Sequence, residues 1–107
     1  MQTEKLGKNQ KMVLNFLKLR NGIVNTYSFT ELVDYGLIKD FSGISRALDS
    51  LLRRGYVKTV YKLGDSWYER TKDGVKEIEK PSFVEGNRRR VFWVLINEKE
   101  KELDMFN

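Results

Sequence analysis

SGISRALDSLLRRGYV, residues 42–57, changes its periodicity near its end. At 100° per residue, Ile44, Ala47, Leu48, Leu51 and Leu52 fall within an arc of about 140°, the pattern of a helix that buries one face. Ser42, Arg46, Asp49, Ser50 and Arg53 lie opposite. Gly55 supplies a residue that can adopt the left-handed conformation ending a helix, and an alternating segment begins just beyond it. The stretch therefore reads as a helix over 42–54 feeding directly into a strand, with a serine and guanidinium face turned away from the core.

Downstream, YVKTVYKL (56–63) alternates, with Val57, Thr59, Tyr61 and Leu63 on one side and Tyr56, Lys58, Val60 and Lys62 on the other. Gly64-Asp65 is a two-residue hairpin signal and SWYERT returns from it, which sets Tyr61 opposite Tyr68 and Lys62 opposite Trp67. TKDGVKEIEK then reads either as a helix capped by Thr71 or as a second hairpin turning at Asp73-Gly74, and the helix is the expectation taken. Pro81 ends either one. EGN (85–87) reads as a turn and RRRVFWVLI (88–96) as a strand, basic where it starts and apolar after. Asn97 with Glu100 caps an expected short final helix carrying Leu103 and Phe106.

Upstream, Asn9 is the expected N-cap of a first helix running to about Arg20, with Met12, Val13, Phe16 and Leu17 on its apolar face and Asn21-Gly22 as its stop. Ile23, Val24 and Tyr27 suggest a brief extended segment. Ser28 and Glu31 have the spacing of a capping box for a second short helix from Phe29 to about Tyr35.

The 107 residues suffice for one apolar core, and 40% of them are hydrophobic. The expected organisation is a single domain over 1–107, with a core at 9–80 and an extension at 81–107. The chain has no cysteine and no histidine. That removes disulfides, most metal sites and most nucleophile–base pairs, so no enzyme and no cofactor is expected. No apolar run reaches the roughly 18 residues of a membrane span and no signal-peptide pattern opens the chain, so a cytoplasmic protein without a membrane partner is expected. The net charge of +5 is unevenly placed, with +7 in residues 1–96 and −2 in the last eleven. A basic body suits a polyanion.

The order helix, short extended segment, helix, helix, hairpin resembles a winged helix-turn-helix. FTELVDYG…SGISRALDSLLRRGYV is similar to the helix-turn-helix wording of that fold, and WYERTKDGVKEIEK is similar to the wing exit of MarR-like and PadR-like regulators, with Tyr68, Thr71 and Gly74 in matching places. The resemblance covers residues 9 to about 80. It implies an α+β fold with a three-helix core and a β-hairpin wing, to which the C-terminal strand and short helix are additions. GNRRRVFWVLINEKEKEL offers a second wing exit, which would stretch the wing from 56 to 96 around a long insertion.

By that resemblance the helix at 42–54 is the recognition helix in a major groove of double-stranded DNA, with Arg46 pairing bidentately with guanine. Ser42, Gly43 and Ser45 would let the helix start approach phosphate. Asp49 would accept from cytosine or, preferably, orient Arg46 and Arg53. On the wing, Lys58, Lys62 and Gly64 would meet the DNA backbone, although Lys62 serves equally as protection of a strand edge. Arg88, Arg89 and Arg90 either grip phosphate or keep the start of an apolar strand soluble. Ser28 and Thr30 are caps first and phosphate contacts second. Trp67, Trp93, Phe92 and Phe16 are assigned to core or interface. The apolar VFWVLI and LDMF segments suggest a homodimer, and no motif points to a small-molecule ligand. The expectation is a sequence-dependent DNA-binding protein acting in transcription regulation, replication or partition, with a winged-helix protein-interaction module as the alternative.

Overall fold

A computed structural model describes residues 5–96, so the expected final helix at Asn97–Phe106 lies outside the described residues. Three helices, α1 (Lys8–Leu19), α2 (Thr30–Asp34) and α3 (Phe41–Arg53), pack against a five-stranded antiparallel sheet. Its strands are β1 (Ile23–Asn25), β2 (Val57–Leu63), β3 (Ser66–Thr71), β4 (Gly74–Ile78) and β5 (Val91–Leu95), in the order β1-β5-β2-β3-β4.

α3 forms where its amphipathic period demands and buries Ile44, Ala47, Leu48, Leu51 and Leu52. α1 lies beside it and buries Val13, Leu14, Phe16 and Leu17 in the same core, which Phe29, Leu32 and Ile38 complete. A polar seam runs along the α1–α3 contact: Gln10 Nε2 donates to Ser50 Oγ at 3.0 Å, and Arg54 Nη1 donates to the Lys5 carbonyl at 3.0 Å. Ser50 therefore faces α1 rather than solvent. Gly55 has φ +82°, and Tyr56 N–H reaches back to the Leu51 carbonyl, so the chain turns from α3 into β2 within three residues.

Two helix starts differ from expectation. Gly7, not Asn9, is the N-cap of α1, because the Gln10 side chain folds back and accepts the Gly7 N–H at 3.0 Å. Ser28 and Glu31 form no capping box. Ser28 sits in a 3-10 turn, Thr26–Phe29, where its N–H donates to Asn25 Oδ1, while Glu31 pairs with Arg20 at 2.7 Å across the α1–α2 gap. A charged partner within reach outcompetes the local cap. Tyr27, expected to be extended, belongs to this turn as well.

The β2–β3 hairpin has the expected register, with Tyr61 opposite Tyr68 and Lys62 opposite Trp67. Beyond Thr71, however, the chain makes a second hairpin instead of a helix, and Thr71 pairs with Gly74. In this arrangement Glu69 lies between two cations: Lys58 Nζ is 2.6 Å from its carboxylate and Lys76 Nζ is 3.6 Å away. A helix over 72–80 would lose that bridge across three strands. After β4, a 3-10 turn (Ser82–Val84) crosses the sheet on the side away from the helices. There Phe83 and Val84 cover Val60, Trp67 and Phe92, making a second, smaller core.

Both return paths that the sequence offers are used, since β2 pairs with β3 along one edge and with β5 along the other. β5 is thus an interior strand between β1 and β2, with Phe92 3% and Leu95 8% exposed. Both of its edges are therefore paired within the chain, while Val91 at its start remains 41% exposed. Among the described residues no helix is long and apolar enough to cross a membrane.

The Glu69 carboxylate is held below the ordinary value of 4.5, chiefly by the hydrogen bond from Lys58 and then by the Coulombic pull of Lys58 and Lys76. Its stabilising contribution is therefore complete above about pH 4.5 and fades as the pH falls through the depressed folded value. Glu69→Gln should cost about 1 kcal/mol at pH 7, reduced by partial exposure, and should flatten the loss of denaturant midpoint between about pH 5 and pH 2. An unchanged acid limb would show that Glu69 does not hold β3 to its neighbours.

Candidate nucleic-acid interface

Burying five apolar residues of α3 leaves Ser42, Ser45, Arg46, Asp49 and Arg53 exposed along its other side. Arg53 is committed to Asp49, with Nη2 at 2.8 Å from Oδ2, one turn apart. Asp49 therefore orients Arg53 and not Arg46. Such an exposed pair is worth a few tenths of a kcal/mol but removes one positive charge from the face. Arg46 has no acidic partner among the described residues, and its guanidinium remains available.

The start of α3 departs from expectation. Asp40, not Ser42, is the N-cap: its carboxylate accepts the Gly43 N–H at 3.0 Å and the Ser42 hydroxyl at 2.6 Å. These bonds, the one from Ser42 foremost, hold Asp40 below the ordinary carboxylate range. A fixed negative charge thus occupies the place where a phosphate would meet the helix dipole. Gly43 is small for a packing reason, since a Cβ there would stand 3.0 Å from Ile38 Cγ2 and 3.1 Å from Asn9 Nδ2. Of the three small residues at this helix start, only Ser45 is exposed without a bond to Asp40.

The hairpin lysines separate. Lys58 is paired with Glu69 at 2.6 Å on the sheet face opposite the helices. Lys62 lies on that same face, opposite Trp67, without an ion pair among the described residues. Gly64 sits at the exposed β2–β3 turn.

One end of the sheet gathers the remaining cations. Asn25 pairs with Phe92, Tyr61 with Val91, and Lys62 N–H donates to the Arg90 carbonyl, so the end of β1, the end of β2 and the start of β5 coincide there. Arg88, Arg89 and Arg90, all exposed, enter β5 at this end. Arg89 stacks its guanidinium 4.5 Å above the ring centroid of Tyr27, itself 65% exposed. Trp93 Nε1 donates to Thr26 Oγ1 at 3.1 Å and pins the 3-10 turn to β5. Ser28 lies in that turn. Thr30, at the start of α2, donates its hydroxyl to the Tyr27 carbonyl at 2.8 Å and acts as a local cap.

Two residues escaped sequence reasoning. Lys8, Asn9 and Gln10 of α1 line, with Gly43, Arg46 and Ala47, an open cleft of about 370 Å³, so Lys8 adds a cation beside Arg46. Tyr27 shelves Arg89. Neither has a local signal, because each is created by packing between segments distant in sequence. Among the described residues no group of three or more metal-ligating side chains converges. No family model, curated protein or solved structure matches the chain.

Proposed function

We propose that the chain is a sequence-dependent binder of double-stranded DNA, built as a variant of the winged helix, that acts in transcription regulation or in DNA organisation during replication or partition. The order β1-β5-β2, with α2 and α3 connecting β1 to β2, supports the reading. In it, β5 is the returning strand of the wing, and β3–β4 is the inserted hairpin. The observation that carries the proposal is the open face of α3, where Ser45 and Arg46, without an ion pair among the described residues, project from a helix anchored by five buried apolar residues. A guanidinium so placed can pair with guanine O6 and N7 in a major groove.

The division of labour follows from charge. Asp40 discourages a phosphate at the start of α3, and Lys58 is already paired. Backbone contact falls to Arg88, Arg89, Arg90 and Lys62 at the sheet end, with Lys8 supporting Arg46. A homodimer reading two half-sites belongs to the same proposal, although β5, paired along both edges, would not form it by strand addition.

A protein-interaction module is the second reading. It is favoured by Tyr35, Leu37 and Phe41, which are 76%, 48% and 37% exposed around the α2–α3 connection. Salt separates the two, since a docking module would show no steep loss of DNA affinity between low and moderate ionic strength.

Selection of bound fragments from random duplex DNA should yield a defined site. On that site Arg46→Ala should cost about 1–3 kcal/mol, and less on random duplex. Equal losses on both would make Arg46 a phosphate contact, and failure to bind any duplex would end the proposal. Replacing Arg88, Arg89 and Arg90 together by alanine should weaken all sequences alike and reduce the slope of log K against log salt by about 2 to 3. An unchanged slope would take the sheet end off the DNA.

A further inference from the structure

The helices cover only part of the sheet face they pack on. Val57, Leu95 and Val24 lie beneath them, and Thr59 is still buried, but among the described residues no helix covers the next rung across the sheet, Val91–Tyr61–Tyr68–Glu77, whose two tyrosines are half-buried. Val91 is 41% exposed, and Val75 and Leu63 on the same face are 55% and 62% exposed. At the centre of this open area the rings of Tyr61 and Tyr68 stack on one another at 5.8 Å and 24°. Arg70, opposite Val75, borders the pair, and Arg89 on its Tyr27 shelf lies two residues before Val91.

We infer that this uncovered rung, centred on the Tyr61–Tyr68 stack and bordered by Arg70 and Arg89, is a second nucleic-acid surface that takes a single strand. The stacked bases of a duplex are closed to a protein ring, whereas an unpaired base can stack on the open part of half-buried rings such as Tyr61 and Tyr68. Aromatic rings on an open sheet flanked by guanidinium groups supply what a sequence-tolerant strand site needs: a π surface for bases and cations for phosphates. The guanidinium groups of Arg70 and Arg89 outnumber the one acid of the rung, Glu77, a balance that favours a polyanion as occupant. The inference does not rest on the α3 reading, since none of these residues belongs to α3.

The test measures fluorescence anisotropy of labelled (dT)12 and (U)12, and of a 20-base-pair random duplex, at low salt. Both strands should bind the wild-type protein, and the difference between them reports whether DNA or RNA is preferred. The double variant Tyr61→Ala/Tyr68→Ala should weaken strand binding at least fivefold while leaving duplex binding within about twofold, and Arg46→Ala should do the reverse. Tyr61→Phe/Tyr68→Phe, which keeps the rings, should bind strands as the wild type does. Should the alanine variant fail to fold, the wild-type protein still decides: the ring resonances of Tyr61 and Tyr68 must shift when (dT)12 is added. Absence of strand binding, rings unmoved by a bound strand, or undiminished strand binding by a folded alanine variant would each overturn the inference. So would a dimer dissolved by Tyr68→Ala in a protein without strand affinity, which would assign the face to a second copy.

Discussion

The insertion of β5 between β1 and β2 is the constraint on which the rest of the structure depends. Its five residues pair along both edges and bury side chains on both faces, with Leu95 in the helical core and Phe92 in the smaller core beneath Phe83 and Val84. Without it, β1 would be three residues with no partner and the helices would pack on one edge of a hairpin. Because β5 runs antiparallel to β2, its first residues fall at the sheet end where β1 gives way to the Thr26–Phe29 turn. Arg88–Arg90 and Tyr27 thereby meet from opposite ends of the sequence. The pairing is non-local and joins segments some 30 and 70 residues apart, so its loop-closure entropy must be offset by two apolar faces buried together.

α3 stands in a different relation to the fold. Its apolar arc is required by the core, but nothing in the packing requires Arg46, Ser45 or the Asp49–Arg53 pair. Their exposure leaves them free for the recognition proposed above. The Asp40 cap constrains how such recognition works: the helix start is charge-satisfied within the chain, so affinity for a polyanion has to come from guanidinium groups and lysines rather than from the helix dipole. Under the proposed function this separates a reading element, α3, from gripping elements at the sheet end.

What the sequence disclosed follows the range of the interactions involved. α3 and the β2–β3 hairpin were legible because their periods and the Gly64-Asp65 turn are local, and even the Tyr61–Tyr68 register could be counted from the turn. The 72–80 segment was not, since a threonine cap and a strand alternation compete in the same residues, and the strand's partners, β3 and the Glu69 pair with Lys76, lie outside the segment or across the turn. Glu31 was misread for the same reason, its partner Arg20 lying in another helix. At the candidate site, the outward face of α3 was readable from periodicity, whereas the pairing of Lys58, the packing role of Gly43 and the nearness of Lys8 to Arg46 arise only when separate segments are brought together.

The most direct test of the account is a nuclear magnetic resonance titration of the isotope-labelled protein with its selected duplex. The account predicts that the largest amide and side-chain perturbations fall on Ser45, Arg46 and Asp49, with a second group at Arg88–Arg90. Perturbations confined to Tyr35, Leu37 and Phe41, or an α3 whose outer face does not respond to duplex, would contradict it.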